Sequence, residues 1–544
     1  MRRAAILLAG ALAWPAAASA LPAPPPSTTA GAAQQRSQQE QQRLERSQRR
    51  KGPKGPVLVG PKQQHAKPAP GGAKFTLNHI TFSPSRFLSS STLQALSRPY
   101  LHHPITVADL YKLLDAINAV YAKRGLITDR AILPPQKVTG GVVHVRLVEG
   151  KVGAVHLSGA KHTGRGYILA RLPVRQGTVL DAAELERELI WFDRTSDVAL
   201  KANLQPGSRF GLTDVMLEAI EPPRYQVSLL ANNEGDRATG RVQGGVYARL
   251  FGPLGRGDSL TLYAMKSRGA FNGNLGYQVP LTRRGLKLSA SVAHNEIHII
   301  DGPYRNLDIR GHADVGQLGL TRPLVASRHW LVTTAGSVSY TRDRTDISGV
   351  PLNADHIWTP AAGVTAEYDR PGQSWLVTQT AERGFAHEVL SQDRAYWLLP
   401  GTFSGRAALP GPLFTTTSAG WQYSNARDLP PSQLFQLGGA NTVPGYPVGT
   451  ASGVRGFYAR QTLDVHLPAR TAFGVGYSYG ALHAAYPRRI ALESFDVGLQ
   501  GRLPRYRALE PVSWRVDVAH PMRTVVPDES KWEVYFSIVA PFGL

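Results

Sequence analysis

Alternation of apolar and polar residues, with a period of two, runs from about Tyr225 to the C-terminus of this 544-residue chain. Runs of Gly, Pro, Asn and Asp separate the alternating segments, and no helical periodicity interrupts them. In the first segment, small or apolar residues share one face: Val242, Gly244, Val246, Ala248 and Leu250. The opposite face is mostly polar and carries Arg241, Gln243, Tyr247 and Arg249. This pattern excludes a parallel α/β fold, in which strands alternate with helices.

The length of this region decides between the remaining β architectures. At about 20 residues for each strand and its turn, it holds on the order of 16 antiparallel strands. A soluble sandwich of that size would need two domains, and the sequence has no break between such domains. We therefore predict one large membrane β-barrel at residues 224–544. Its apolar side chains should face outwards and its lumen should contain water.

The first 20 residues predict export from the cytoplasm. The sequence MRRAAILLAGALAWPAAASA begins with Arg2 and Arg3, continues through an apolar stretch and ends in Ala18-Ser19-Ala20. That order is typical of a secretory signal peptide, which we assign to residues 1–20. No later segment has 18 consecutive apolar residues, so a chain of this kind enters a membrane with strands.

Composition excludes several function classes. The chain has no cysteine, which rules out disulfides, zinc–thiolate sites and cysteine nucleophiles. Its net charge of +22 invites a nucleic-acid partner, but residues 1–74 hold 12 Lys or Arg against two Asp or Glu. Nearly half of the excess therefore lies in a low-complexity tail, and no recognition motif is present. We expect no nucleic-acid partner.

Residues 21–51 form a low-complexity segment in which 32–51, AAQQRSQQEQQRLERSQRRK, are mostly strong helix formers. Few of these side chains are apolar, and a helix that is polar all round cannot bury itself in an ordinary core. Two interpretations stay open: a disordered charged linker, or a solitary helix inside a water-filled space. Residues 52–74, rich in Pro and Gly, predict an extended linker.

Residues 75–149 and 150–223 each predict a small β-α-β-β module, and together they form an internal duplication. In the first module, Thr106 and Asp109 predict an N-terminal capping box, and Gly125 predicts the helix end. The apolar stripe of this helix consists of Leu110, Leu113, Leu114, Ile117 and Val120. In the second module we predict a helix over Asp181–Asp193.

The junction between the modules carries the most specific motif of the chain. The stretch YAKRGLITDRAILPPQKVTGGVVHVRLVEGKVGAVHLSG, residues 121–159, resembles the POTRA signature of two-partner secretion transporters. These are the haemolysin and filamentous-haemagglutinin secretion/activation proteins of the POTRA-barrel superfamily. The resemblance rests on Tyr121, Gly125, Leu133, Pro134, Gln136, Val148, Glu149 and Gly150. It extends, with the weaker barrel motif FGPLGRGDSLTL at 251–262, over nearly the whole mature chain.

The resemblance implies transport without catalysis and without a cofactor. The POTRA modules would lie in the periplasm and capture the unfolded N-terminal region of a large secreted partner protein. The barrel would lie in the outer membrane, in contact with its lipid, and export that partner as an extended chain. An extended client can add to a sheet edge through backbone hydrogen bonds, which suits a sequence-tolerant receptor. The polar helix would occupy the lumen at rest.

Two other functions remain open at this point. An assembly or insertion factor of the same superfamily would act on outer-membrane proteins or lipids, although such factors usually carry more POTRA modules. A porin or ligand-gated receptor would use the N-terminal modules only structurally, and it would leave the POTRA signature without a purpose.

The stretch GGANTVPGYPVGTASGVRGFYARQTL, residues 438–463, is expected to contain the family's sixth loop, which folds back into the barrel. In the family, an Arg at the loop tip pairs with an Asp of the inner wall. One alignment places the tip at Val443, Pro444, Gly445 and Tyr446, and the wall position at Ser478. Both charges would then be missing together, which avoids a lone buried charge.

A second alignment uses the literal Val-Arg-Gly-Phe sequence. It places the tip at Val454, Arg455, Gly456 and Phe457, with Asp496 as the wall partner. Loop spacing favours the first alignment, because an Arg-Gly-aromatic sequence also begins the strand that follows the tip in this family.

The sequence HNEIH places His294, Glu296 and His298 on one face of a strand, where they could ligate a divalent metal. The helical H-E-x-x-H motif of zinc proteases has a different spacing. We interpret the segment as a polar lumen or loop face and expect no metal site. The sequence also lacks Gly-x-Ser-x-Gly, and it supports no close carboxylate pair, so no catalytic residue is assigned.

Overall fold

The computed structural model describes residues 24–48, 55–60, 74–126, 128–388, 393–486, 490–504, 510–525 and 531–543. The predicted signal peptide lies outside these ranges, as do residues 49–51 of the predicted helix and 52–54 and 61–73 of the predicted linker. Within the described ranges, no helix is long and apolar enough to cross a membrane.

The low-complexity segment forms a helix, α1 (Ala30–Gln48), after a 3₁₀ turn at Pro26–Thr28. The helix begins before residue 32 because the Thr29 hydroxyl accepts a hydrogen bond from the Ala32 amide and caps the first turn. Leu44 is its only large apolar side chain. Of the two interpretations of this segment, the helix is confirmed. The chain then forms a two-residue strand, β1 (Leu58–Val59).

The first module is a small α/β unit in which strand β3 pairs in parallel with β6, and β6 pairs antiparallel with β5. Its elements are β2 (Phe75–Thr76), β3 (His79–Phe82), α2 (Ser90–Ser97), β4 (Pro104–Ile105), α3 (Val107–Lys123), β5 (Arg130–Ile132) and β6 (Val142–Val148). The predicted capping box of Thr106 and Asp109 begins α3. The predicted stripe is buried except for Val120, which is half-buried, and Tyr121 completes the core.

The second module has a four-stranded sheet in the order β1-β8-β9-β7. Its elements are β7 (Lys151–Ser158), α4 (Arg165–Leu169), α5 (Ala182–Thr195), β8 (Ala199–Pro206) and β9 (Leu212–Ile220). Helix α5 begins one residue after the predicted start because Asp181 is its N-cap. Strand β1 comes from the predicted linker and adds in parallel to β8, so part of that linker belongs to this sheet.

The C-terminal region is a closed antiparallel barrel. Its strands are β10 (Tyr225–Asn232), β11 (Gln243–Phe251), β12 (Ser259–Lys266), β13 (Ala270–Pro280), β14 (Lys287–His298), β15 (Ile309–Ala326), β16 (Trp330–Ile347), β17 (Val350–Arg370), β18 (Gln373–Glu388), β19 (Arg394–Ala408), β20 (Leu413–Ser424), β21 (Phe435–Leu437), β22 (Ala451–Leu467), β23 (Thr471–Tyr486), β24 (Ala491–Arg502), β25 (Ser513–Pro521) and β26 (Glu533–Gly543). Strand β21 pairs only with the start of β22, whose later residues pair with β20, so 16 strands circle the wall. The predicted fold class is confirmed.

The alternating pattern divides the wall into two surfaces, as predicted. On β11 the Tyr247 side chain is buried inside the barrel, and the Arg249 side chain also points inwards. The outer surface carries exposed apolar side chains, such as Leu262, Val364 and Phe473. Apolar residues outside and polar residues inside reverse the usual arrangement of a soluble protein, because the outer solvent is lipid.

Ion pairs hold the second module against one end of the barrel, called the near end from here on. Asp197, just after α5, pairs with Arg249 of β11 at 2.6 Å. Arg194 of α5 pairs with Glu367 of β17 at 3.2 Å, and the Arg194 side chain is almost fully buried. These two pairs join the second module to the near end of the barrel.

The junction between the two modules predicts a pH-dependent stability. The Asp129 carboxylate accepts a hydrogen bond from the Gly150 amide at 2.9 Å, yet burial raises the pKa of Asp129 to about 6. The charged Asp129 carboxylate therefore lowers the stability of the folded module. This loss of stability is present above the folded pKa of about 6 and disappears below the unfolded pKa of about 3.8. Lowering the pH from 7.5 to 4.5 should stabilise the first module by on the order of 2 kcal/mol.

The measurement is the urea midpoint of hydrogen-exchange protection in peptides that cover 142–150 of the full-length protein. Asp129→Asn should flatten the pH dependence, whereas Asp115→Asn, at an exposed carboxylate of α3, should retain it. Equal pH dependence in both variants would contradict the assignment to Asp129.

Candidate functional site: the barrel lumen

The lumen contains α1 and, beside it, a cavity of about 810 Å³. The cavity wall is rich in neutral hydroxyl side chains, including Thr261, Ser289, Ser337, Ser339, Thr378 and Thr402. Glutamines of α1, such as Gln38 and Gln41, line the opposite side, and residues 193–197 of the second module border the near end. The lining is polar throughout, and it also includes charged side chains such as Arg249, Lys287 and Glu382.

The N-terminus of α1 is bound to the inner wall of β16. The Ala30 amide donates to Thr345 Oγ1 at 3.1 Å, and the Gly31 amide donates to Asp343 Oδ1 at 3.0 Å. A carboxylate is favoured here because the first amides of a helix lack intrahelical partners and carry the positive end of its dipole. Any β-carbon at position 31 would overlap the Asp343 carboxylate, so glycine permits this close approach.

A second set of contacts joins α1 to the segment that leads into the inward loop. Gln436 of β21 accepts from Arg36 Nη1 at 2.6 Å and donates to the Ala32 carbonyl at 3.2 Å and Gln35 Oε1 at 2.9 Å. Arg36 also lies 3.6 Å from the Asp236 carboxylate. These polar contacts explain why α1 needs no apolar face.

The opposite end of α1 makes an apolar contact through its one large apolar side chain. Leu44 packs against a small cluster on the inner wall formed by Leu230, Tyr247, Tyr263 and Met265. The helix is therefore held along its length, by hydrogen bonds at the start and by this cluster near the end.

The loop after β21 folds into the barrel, where the Tyr446 side chain is fully buried. Its hydroxyl lies 2.9 Å from the carbonyl oxygens of both Glu493 and Arg523, so the two acceptors share its one hydrogen. The Gly445 amide donates to the Tyr535 hydroxyl at 3.0 Å, and Gly445 has a φ of +92°, which favours glycine. Aromatic side chains thus hold the tip against β24–β26.

The first alignment of the loop places its wall position at Ser478 on β23. Ser478 is fully buried on the inner wall, and its hydroxyl has no hydrogen-bond partner within the described part of the chain. Val443 of the tip lies over Gly480 of the same strand. The tip therefore packs on β23 through an apolar contact, and Pro444 stays a proposed occupant of the arginine position.

The second alignment is wrong in its pairing of Arg455 with Asp496. Arg455 points to the outer surface, where its guanidinium lies 4.9 Å from the Tyr423 ring centre and its Nε donates to the Ser424 carbonyl at 2.7 Å. The neighbouring Phe457 is also exposed on the outside, and Gly456 faces the other way. Asp496 faces the lumen, so the two side chains lie on opposite faces of the wall.

The partner of Asp496 is Arg460, which the sequence interpretation missed. Arg460 Nη2 donates to Asp496 Oδ2 at 2.6 Å, and their side chains are 11% and 3% exposed. Arg460 Nη1 also donates to the Ala440 carbonyl of the inward loop at 3.1 Å. Here the arginine that joins loop and wall comes from the wall itself. The sequence did contain a signal for this, because Arg460 is two residues from the inward-facing Tyr458 and therefore lies on the same face of the strand.

The residues of the POTRA signature organise the first module. Gln136 exchanges two hydrogen bonds of 2.8 Å with the backbone of His144. Glu149 accepts from the Ser85 hydroxyl at 2.5 Å and from the amides of Arg86 and Phe87. Tyr121 lies in the core, and Gly125 ends α3 with a φ of +76°. Val148 pairs with Arg130 in the sheet, and Leu133 is partly buried. The Pro134 carbonyl lies 3.4 Å from Gln136 Nε2. Client capture by the POTRA modules stays a prediction.

The HNEIH segment lies on the outer surface of β14 rather than in the lumen, because the even-numbered residues of this strand face outwards. His294 contacts Asp314 at 2.7 Å and Glu296 at 3.1 Å, while His298 contacts Asp308 at 3.3 Å. No group of three or more possible metal ligands occurs among the residues that the structure describes.

Two family models match this chain. The model for haemolysin secretion/activation protein ShlB/FhaC/HecB matches residues 211–501, which is more than half of the chain. The model for the POTRA domain of ShlB type matches residues 75–150.

Similar proteins are outer-membrane and haem-related transporters. Outer membrane transporter CdiB of Escherichia coli O6:K15:H31 is 24% identical over 421 residues, which cover 72% of this chain and 69% of that protein. Heme/hemopexin transporter protein HuxB of Haemophilus influenzae is 20% identical over 502 residues, 87% of this chain and 88% of that protein. The solved structure of CdiB from Escherichia coli shares the fold, with a TM-score of 0.63 and 22% identity over 94% of this chain and 98% of that one.

The wall pair predicts strong coupling between two buried charges. Arg460→Ala or Asp496→Ala alone leaves one charge unpaired and should lower the free energy of unfolding by about 3 kcal/mol. The double variant should lose less than the sum, with a coupling energy of about 1–3 kcal/mol. Urea unfolding in detergent, followed by tryptophan fluorescence, measures all three.

The matched control is the outer pair of Arg344 and Asp346, which lies 3.0 Å apart and is partly exposed. Its coupling energy should stay below about 1 kcal/mol. If the inner pair couples no more strongly than this outer pair, the Arg460–Asp496 contact does not stabilise the barrel.

Proposed function

Because the chain belongs to the family of haemolysin secretion/activation proteins ShlB/FhaC/HecB, we propose that it exports one large partner protein in a two-partner secretion system. The barrel lies in the outer membrane, and the two modules lie in the periplasm at its near end. The relatives are transporters, and the proposal requires no catalytic group. The lipid of the outer membrane is a second partner of the barrel.

The observation that carries the proposal is a lumen occupied by a polar, hydrogen-bonded helix next to a cavity of about 810 Å³ with a polar lining. A porin has no need of a helix whose N-terminus is bound to Asp343 and whose side joins the inward loop through Gln436. A secretion pore needs both: closure at rest, and a polar path when a client arrives. The hydroxyl-lined wall suits passage, because it can solvate a peptide backbone without holding it.

Client capture is proposed to occur at the sheet edges of the periplasmic modules. Backbone pairing at an edge recognises an extended chain with little regard to its sequence. The second module supports this idea, since Leu58–Val59 already adds to strand β8 as a short parallel strand. The wall cavity begins at residues 193–197 of this same module, so a captured segment would lie next to the entrance.

The helix anchor predicts the conductance of the resting pore. Asp343→Ala removes the carboxylate that receives the Gly31 amide, a charge-assisted hydrogen bond worth about 1.5–3 kcal/mol. The fraction of open time should rise about tenfold in single-channel recordings. Deletion of residues 32–51 should give the largest conductance, and Asp346→Ala, on the outer side of the same strand, should leave the recordings unchanged. Unaltered conductance after the deletion would show that α1 does not close the pore.

Deletion of the gene in its own host tests the function itself. We expect one large protein to disappear from the medium while the set of outer-membrane proteins stays the same. Re-expression of the full chain should restore that protein, and a chain without residues 75–149 should not, although it reaches the membrane. An intact secreted set with altered outer-membrane proteins or lipids would favour an assembly factor instead.

A further inference from the structure

The outer surface of the barrel carries aromatic side chains at two levels. Away from the modules, roughly half-exposed rings are contributed by Trp358, Phe385, Trp397 and Tyr423. Near the modules, the outer surface carries Trp330 and Phe473. Aromatic girdles of this kind mark the two membrane–water interfaces of an outer-membrane barrel. The first group therefore lies at the level of the outer leaflet headgroups.

Arg383 and Arg455 lie within this outer girdle. Arg383 of β18 is directly opposite Trp397 of β19, and its guanidinium is 5.0 Å from the Trp397 ring centre and 5.7 Å from that of Phe385. Arg455 of β22 lies over the Tyr423 ring at 4.9 Å. Within the described part of the chain, neither guanidinium forms an ion pair. Cation–π contact fixes both groups without neutralising them.

This arrangement is poorly explained by the wall alone. Strands β18 and β22 need no charge on their lipid-facing side, where an arginine costs up to roughly 1 kcal/mol even near the interface. Arg455 uses its Nε on the Ser424 carbonyl, so its two Nη groups remain available for a ligand. A planar guanidinium with free N–H groups can bind a phosphate in bidentate geometry, and phosphate is the anion that lipid headgroups supply at a membrane surface.

The spacing of the two arginines suggests a ligand with two anionic groups. Strands β18, β19, β20 and β22 are consecutive neighbours in the wall, so Arg383 and Arg455 are three strand spacings apart, about 14 Å. His483 of β23 is directly opposite Arg455 and adds a third nitrogen donor to the same row. Between the two arginines, Trp397 and Tyr423 provide a flat surface that could support a sugar.

We propose that Arg383 and Arg455 bind the two phosphates of a bisphosphorylated glycolipid of the outer leaflet. The sugar headgroup lies across Trp397 and Tyr423, and the acyl chains follow the apolar outer wall towards the near end. The site is on the opposite side of the wall from Arg460 and the inward loop. It holds the barrel at a fixed depth, and it does not depend on which client the lumen carries.

The test uses the full-length protein in detergent with bisphosphorylated lipid A as the probe, and native mass spectrometry as the readout. We expect one lipid to remain bound to the wild type. The double variant Arg383→Gln/Arg455→Gln should bind it at least tenfold more weakly. The matched control is Arg322→Gln, an exposed arginine on the outer face of β15 at the level of the inner leaflet, and it should bind as the wild type does.

Two further arms separate the sources of phosphate and the role of the acyl chains. Dephosphorylated lipid A should bind as weakly to the wild type as the intact lipid binds to the double variant. Inorganic phosphate at millimolar concentration should not displace the bound lipid. Equal binding of dephosphorylated lipid, displacement by phosphate or an unaffected double variant would each overturn the proposal. A shift in gel mobility between heated and unheated samples confirms that the barrel of every variant is folded.

Discussion

The barrel depends on one constraint: every backbone amide and carbonyl in contact with lipid must form its hydrogen bond within the wall. The first and last strands satisfy this constraint, because residues 226–232 of β10 pair with 537–543 of β26 and close the sheet. Closure at 16 strands leaves a lumen that wall side chains alone cannot fill. The helix α1 and the inward loop are therefore consequences of the wall, since an empty lumen of this width would be an open hole in the membrane.

Both lumen segments are held by buried wall carboxylates. Asp343 receives an amide of α1, and Asp496 receives Arg460, which in turn binds the inward loop. Burial makes these contacts strong and directional, because removal of either partner leaves a charge without solvation. At the same time, few apolar surfaces are involved, so separation of the helix from the wall exposes little that water cannot solvate. The helix is thus firmly held in the lumen by contacts that water can replace.

The sequence predicted those features that local or periodic patterns encode. The capping box at Thr106 and Asp109 determines the start of α3, and period-two alternation determines the barrel and its polarity. The arginine of the lumen was missed because Arg455 and Arg460 differ in parity, and a motif match does not state which face of a strand a residue occupies. Strand β1 was missed because two residues of a linker carry no periodic signal, and only the neighbouring edge of β8 makes them a strand.

Gln436 links the contacts of α1 to those of the inward loop. It stands on a strand of only three residues, and its one amide group touches a backbone carbonyl and two side chains of α1. Withdrawal of the helix would remove all three contacts from this residue together and leave β21 held by its short pairing with β22 and by the apolar packing of Phe435 and Leu437. The position of the loop therefore depends on whether the helix is in the lumen. If the helix leaves the lumen during export, opening at the cell surface and opening towards the periplasm would then be coupled through this one residue.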